Sequence, residues 1–159
     1  MKQPDLILGI DPGSVKTGYA ILTIEPSPRV YEYGIIKAPA SWPVYKRLGK
    51  LKSQMDEILK SHNPSVVAVE SVFVHQNVKS ALVLSQARGT FLASCSERDM
   101  SFLEYPPTTI KKAVAGKGHA SKESVRQMIC LHLGLEETPT SLDASDALAI
   151  AWTGAIFGE

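Results

Sequence analysis

The chain has 159 residues, 44 % hydrophobic and 21 % charged, with a formal net charge of +1. That length suits a single domain over 1–159 with a self-sufficient core, and the composition is ordinary for a soluble globular protein. No apolar run approaches the roughly 20 residues a bilayer requires, and the start of the chain has neither an h-region nor a cleavage site, so no membrane span or signal peptide is expected. Overall charge gives no support to a nucleic-acid partner. Any such case must rest on where the charges lie.

Residues 6–11 and 18–24 read as strands joined by the Pro12–Thr17 turn. Glu25-Pro26-Ser27-Pro28 is a second turn signal, and 30–36 alternates as a third strand, which together predict an antiparallel meander. A helix follows over 44–61, with Leu48, Leu51, Met55, Ile58 and Leu59 on its apolar face and Lys50, Lys52, Asp56 and Lys60 on a solvated one. Asn63-Pro64 stops it. Val66 to Glu70 is apolar on both faces and reads as a central parallel strand. A loop over 71–79 holds Phe73, His75, Gln76 and Asn77. The next helix, over 80–98, has Leu82, Val83, Ala87, Phe91 and Leu92 in its stripe. Residues 101–105 form a short strand ended by Pro106-Pro107. A short helix then opens at Thr108 and breaks at 116–119, and Ser121 caps another that Gly134 ends. The last helix, from Asp143 to Phe157, is apolar almost all round and therefore buried. Cys95 and Cys130 lie in helical patterns without metal-site spacing, as reduced core thiols of a cytoplasmic protein would.

Two buried strands thus end in a single carboxylate, Asp11 and Glu70. Asp11 admits two readings from its own stretch: Asp-Pro-Gly is a good turn former, and a lone buried carboxylate also suits a metal. A right-handed strand–helix–strand connection would bring Glu70 beside Asp11 at the sheet edge where open α/β sheets place ligands. The last helix begins Asp143-Ala144-Ser145-Asp146, with two carboxylates three residues apart on one side. Asp143 also suits the first helical turn, where an acid offsets the dipole. Asp146 has no basic residue close in sequence, and structural and ligand readings of it balance. Together the four acids say more. Converging carboxylates repel unless divalent cations neutralise them, and oxygen-only ligation suits Mg²⁺ or Mn²⁺. Two such ions roughly 4 Å apart can activate a water and stabilise the leaving oxygen of a phosphodiester.

Lys111, Lys112, Lys117, His119, Lys122 and Arg126 cluster within about sixteen residues, with Glu123 as the only acid. Alone, such a run is more often a solvated helix face. Beside a site that cuts phosphodiesters it is a candidate phosphate-contacting surface. Phe73, an aromatic in a polar loop just after Glu70, either folds back on the core or stacks on bases. His75 and His119 lack metal-ligand spacing and read as polar surface residues.

Taken in order, Gly9-Ile10-Asp11-Pro12-Gly13-Ser14 with Thr17-Gly18-Tyr19, then Glu70 with Val72-Phe73, then Gln86-Ala87-Arg88-Gly89, and finally Asp143 to Ala151 resemble the RuvC family of Holliday-junction resolvases, within the RNase H-like superfamily. The resemblance covers essentially the whole chain. It implies an α/β fold with a five-stranded mixed sheet, an antiparallel meander plus parallel strands, and helices on both faces. It also implies an Mg²⁺-dependent catalytic tetrad, carried over onto Asp11, Glu70, Asp143 and Asp146 without substitution. Phe73 would contact bases near the junction centre, and Lys111 and Lys122 would serve junction binding or cleavage, with Lys122 neutralising charge on the phosphate. The helix from Ser80 would help form a homodimer, whose two-fold symmetry suits two symmetric nicks in a four-way DNA junction. Partnership with the RuvA–RuvB branch-migration complex and 5′-phosphate products are further implications. The sequence ends soon after the last helix, without the basic tail of some relatives, which bears on tail contacts and leaves the chemistry untouched.

Two rivals share parts of the pattern. Asp11-Pro12-Gly13 with Gly18 also resembles the phosphate-binding hairpin of sugar kinase, actin and chaperone ATPases, but those need two such lobes. A YqgF-type RNase H-like nuclease, or a non-catalytic DNA-binding relative, is the second. The paired Asp143 and Asp146, Phe73 and the late basic cluster favour RuvC over both.

Overall fold

A computed structural model describes residues 5–72 and 77–158. In chain order these form β1 (Leu6–Asp11), β2 (Lys16–Thr23), β3 (Val30–Lys37), α1 (Val44–His62), β4 (Val66–Glu70), α2 (Val78–Ser96), β5 (Ser101–Tyr105), α3 (Pro107–Ala115), α4 (Lys122–Leu133) and α5 (Leu142–Phe157). The expected five-stranded mixed sheet is present, in the order β3-β2-β1-β4-β5. The first three strands pair antiparallel as the predicted meander, and β4 pairs parallel with both β1 and β5. β4, apolar up to its terminal Glu70, is therefore covered on both edges and both faces, as its composition requires.

Strand alternation divides the core into two layers. Leu6, Leu8, Ile10, Val67 and Val69 point to one side, where Leu51, Met55 and Leu59 of α1 and Ala87, Phe91 and Cys95 of α2 cover them. Ile7, Ala20, Leu22 and Ala68 point to the other, beneath α3, α4 and the apolar α5. Asp11 and Glu70 share the second side by the same period of two. Both cysteines are free and buried, and burial pushes the Cys95 thiol up to about 11. No helix among the described residues is long and apolar enough to cross a membrane.

Several local expectations change. α2 starts at Val78, inside the predicted loop, because the Asn77 side chain accepts a hydrogen bond from the Ser80 amide at 3.1 Å and caps the helix early. It ends at Ser96, two residues short of Arg98, and Asp99 adopts a left-handed φ of 53°. Leu82 is 61 % exposed rather than part of a core stripe, since the fully buried residues of α2 begin only at Ala87. α3 starts one residue early, with Pro107 at its first position, where its missing N–H costs nothing. The supposedly solvated face of α1 also carries a link. Lys52 pairs with Asp56 at 2.7 Å, and Arg98 beyond α2 approaches the same carboxylate at 3.5 Å.

Candidate active site

The turn after β1 is built by its own side chains. Thr17 is fully buried; its hydroxyl donates to the Gly13 carbonyl at 2.9 Å and accepts from the Gly13 amide at 3.1 Å. A Cβ on Gly13 would overlap the Lys16 carbonyl, so the turn needs glycine there. From outside, Arg47 of α1 donates through Nε to the Ser14 carbonyl at 2.9 Å and through Nη1 to the Trp42 carbonyl at 3.0 Å. The turn that follows Asp11 is thereby held to the start of α1.

Glu70 ends β4 one residue beyond the Ile10–Val69 pair, so it stands beside Asp11 in the parallel register. α5 supplies the other two acids by pressing directly onto the sheet. A Cβ on Gly18 would overlap the Asp143 carbonyl, and one on Gly9 would lie 2.6 Å from the Ala151 amide nitrogen. These glycines let the helix backbone lie against β1 and β2, with the Ser141 hydroxyl accepting from the Ala144 amide at its start. Their role is not apparent from spacing alone; Gly9 and Gly18, nine residues apart on adjacent antiparallel strands, are its only trace in the sequence.

The four acids feel one another. Asp11 is pushed up to about 8, first by burial, then by the charges of Asp146 and Asp143, a hydrogen bond with Asp143, and the charge of Glu70. Burial followed by the Asp146 charge raises Glu70, against the opposing pull of Lys122 and Lys111. Asp146 is also raised by burial, with Lys122 opposing and Asp143 adding. Lys111 and Lys122 line a small cavity with Glu70 and Asp146, floored by Ile110, Val125 and Ile150. Among the described residues no three His, Cys, Asp or Glu side chains form a ready-made metal-holding group. The acids are electrostatic neighbours rather than a closed cage. Their donor set still fits a hard divalent cation: all oxygen, half-buried, and mutually repelling, with Lys111 and Lys122 offsetting that repulsion only in part.

The other sequence candidates are spread more widely. Lys112, Lys117 and His119 are exposed on α3 and the turn after it. Arg126 is committed elsewhere, donating from Nη2 to the Pro139 carbonyl at 2.5 Å, which ties α4 to the loop before α5. Phe73 and His75 lie outside the described residues.

The raised carboxylates make stability depend on pH. In the unfolded chain Asp11 ionises near 4; in the folded chain it keeps its proton to about 8. The folded state therefore binds more protons over that window, so its stability is fully present below pH 4 and falls as pH rises towards 8. The metal-free protein is expected to melt at least about 5 °C lower at pH 8 than at pH 5, with added Mg²⁺ recovering the loss at pH 8 only. Melting curves in chelator test this; a flat profile would remove the carboxylates from one another's fields.

The sheet order, the two helical layers and a carboxylate cluster at the ends of β1 and β4 define an RNase H-like protein. Residues 7–154 match the family model described as crossover junction endodeoxyribonuclease RuvC. The chain belongs to the RuvC family. A crossover junction endodeoxyribonuclease RuvC from Chlorobaculum parvum is 44 % identical over 148 residues, spanning 92 % of this chain and 79 % of the relative. Thermus thermophilus RuvC, solved in complex with a Holliday junction substrate, matches with a TM-score of 0.90 at 32 % identity, covering 96 % of this chain and 94 % of that one. The yeast mitochondrial Holliday junction resolvase Ydc2 matches at 14 % identity with a TM-score of 0.65, covering 98 % and 80 %, a likeness of fold alone. Nucleases of this family are metal-dependent.

Proposed function

We propose that this chain resolves four-way (Holliday) DNA junctions in homologous recombination and repair, cutting by paired symmetric nicks that leave 5′-phosphate ends. The observation that carries the reading is the mutual influence of Asp11, Glu70, Asp143 and Asp146, with Lys111 and Lys122 at their rim, in a chain of the RuvC family. The whole chain acts as one catalytic domain. The four acids would hold Mg²⁺, which Mn²⁺ can replace, with two ions per site. When bound, the ions activate the attacking water and stabilise charge on the departing 3′ oxygen.

The side chains divide the remaining work. Asp11 and Glu70 come from rigid strands and set the floor of the site. Asp143, on the first turn of α5, and Asp146, one turn on, close it from the helix side. Lys122 faces the same space and opposes charge on the scissile phosphate, while Lys111 binds a neighbouring one. Phe73, close to Glu70 in sequence, stacks on junction bases. Lys112, Lys117 and His119 extend the phosphate-contacting surface along α3. Arg126 contributes through the loop before α5.

Two symmetric nicks require two sites. Val78 and Leu82 leave α2 with apolar side chains 65 % and 61 % exposed, which supports a homodimer built on this helix. Partnership with RuvA–RuvB and a cytoplasmic location, in keeping with two free buried thiols, complete the reading.

Incubation with a synthetic four-way junction and a matching linear duplex, with and without Mg²⁺, tests it. Cutting of the junction alone, and only with the metal, is expected. Equal cutting of both would refute a resolvase. In the same assay Lys122→Ala is expected to slow cleavage about 10²-fold at saturating enzyme, the size of losing one charge-stabilising donor; an unchanged rate would take Lys122 out of the chemistry.

A further inference from the structure

A second set of basic residues lies on the opposite flank of the site from Lys111 and Lys122. Lys16 and Lys37 are register partners across β2 and β3, and both are exposed. Partners in an antiparallel pair share a face, and like charges placed so are unfavourable. They share that face with Gly18, on which α5 rests, and Lys16 is two residues from it along the strand, about 7 Å. From 33 to 55 the chain has no Asp or Glu, so Lys37 and Lys46 have no acid close in sequence. Among the described residues no ion pair involves Lys16, Lys37 or Lys46.

The neighbouring loop adds aromatic surface. After β3 the chain turns into α1, exposing Trp42 at 40 %, Tyr45 at 70 %, and Lys46 beside them. This loop is fastened to the turn after Asp11: the Ala38 amide donates to the Val15 carbonyl at 2.9 Å, and Arg47 bonds Ser14 and Trp42. Its position is thus rigidly related to the carboxylates. Cations that make no ion pair among the described residues, with exposed Trp and Tyr on the loop fastened beside them, match a sugar–phosphate backbone, whose oxygens accept from both Lys and Tyr.

We propose that Lys16, Lys37 and Lys46, with Tyr45 and Trp42, form a second backbone-binding surface that holds a duplex arm of the junction as it leaves the cleavage site past the Asp11 turn. The proposal rests on the junction-resolving reading and adds a contact surface to it. The surface binds phosphates without reading bases, so it contributes affinity and orientation, not sequence preference.

Lys16→Ala/Lys37→Ala tests this, with Arg29→Ala/Lys60→Ala as a control that removes equal charge from exposed positions elsewhere. Junction affinity is measured against salt concentration for all three proteins. The Lys16/Lys37 variant is expected to bind about ten-fold more weakly near 0.1 M salt, and its log–log salt slope to be smaller by about 2. Its melting temperature should be unchanged or higher, because a like-charge pair is gone. A slope equal to wild type, or an equal loss in the control, would overturn the proposal while wild-type junction cleavage left the main reading standing. Failure of the wild-type protein to prefer a junction would overturn both.

Discussion

Replacing Asp11 by Asn is expected to reduce junction cleavage by about 10³-fold or more while leaving junction binding within a few-fold of wild type. Asp11 is the most strongly perturbed of the four acids: burial and three neighbouring carboxylates push it up to about 8. A group so placed is costly to ionise alone and strongly favoured as a partner of a divalent cation. Asn keeps the shape and one oxygen but removes the charge that would hold the ion, which accounts for loss of rate without loss of substrate. Stability should move the other way. Without metal at pH 8 the variant should melt above wild type, because no buried charge remains at this position, and the fall in stability between pH 4 and 8 should shrink. Mg²⁺ should then give little further stabilisation. Cleavage on a synthetic junction, binding in chelator, and melting with and without Mg²⁺ measure the three effects. Retained Mg²⁺-dependent cleavage would sink the assignment of Asp11 as a ligand.

Gly18→Ala should damage the site from behind. A single Cβ there would overlap the Asp143 carbonyl and lie 3.0 Å from the Ala144 amide nitrogen. Both are helix backbone, so no side-chain rotation relieves the clash, and the first turn of α5 must lift. Overpacking of this kind costs about 1–3 kcal/mol, which predicts a melting temperature lower by about 5 °C or more. Displacing Asp143 and Asp146 by about 1 Å should lower cleavage about 10²-fold, with partial recovery at high Mg²⁺ or Mn²⁺. Gly49→Ala is the control, since a Cβ at that position of α1 meets nothing within 4 Å and alanine favours the helix. It should be neutral or slightly stabilising. A Gly18 variant with wild-type stability and rate would show that α5 does not depend on this contact.

Much of the fold and of the site is legible in the amino-acid sequence. Leu6–Asp11 and Val66–Glu70 announce themselves as strands because short continuous apolar runs between turn residues are local signals, and their terminal carboxylates stand out because nothing adjacent pairs with them. The meander, the parallel β4 and the buried α5 follow from turn residues and from apolarity on every face. Helix edges are less legible. Asn77 caps α2 through a side-chain bond whose competition with an ordinary loop conformation leaves no periodic trace.

What only the tertiary structure decided is how distant pieces meet. Arg126 belongs by sequence to a basic run, yet its guanidinium is used on the Pro139 carbonyl, because α4 folds that side chain against the loop before α5. Arg47 is unremarkable in sequence, and Thr17 stands there only as part of a motif that does not reveal its role; they hold the Asp11 turn through hydrogen bonds to backbone groups, which any residue presents alike. The sequence by itself determined which four carboxylates were available and that each lay at the end of a strand or the start of a helix. The fold decided that α5 lies flush on Gly9 and Gly18, and so that the acids share one electric field. The division has a physical cause: burial patterns and turn chemistry are written in neighbouring residues, whereas close backbone packing depends on side chains that are absent.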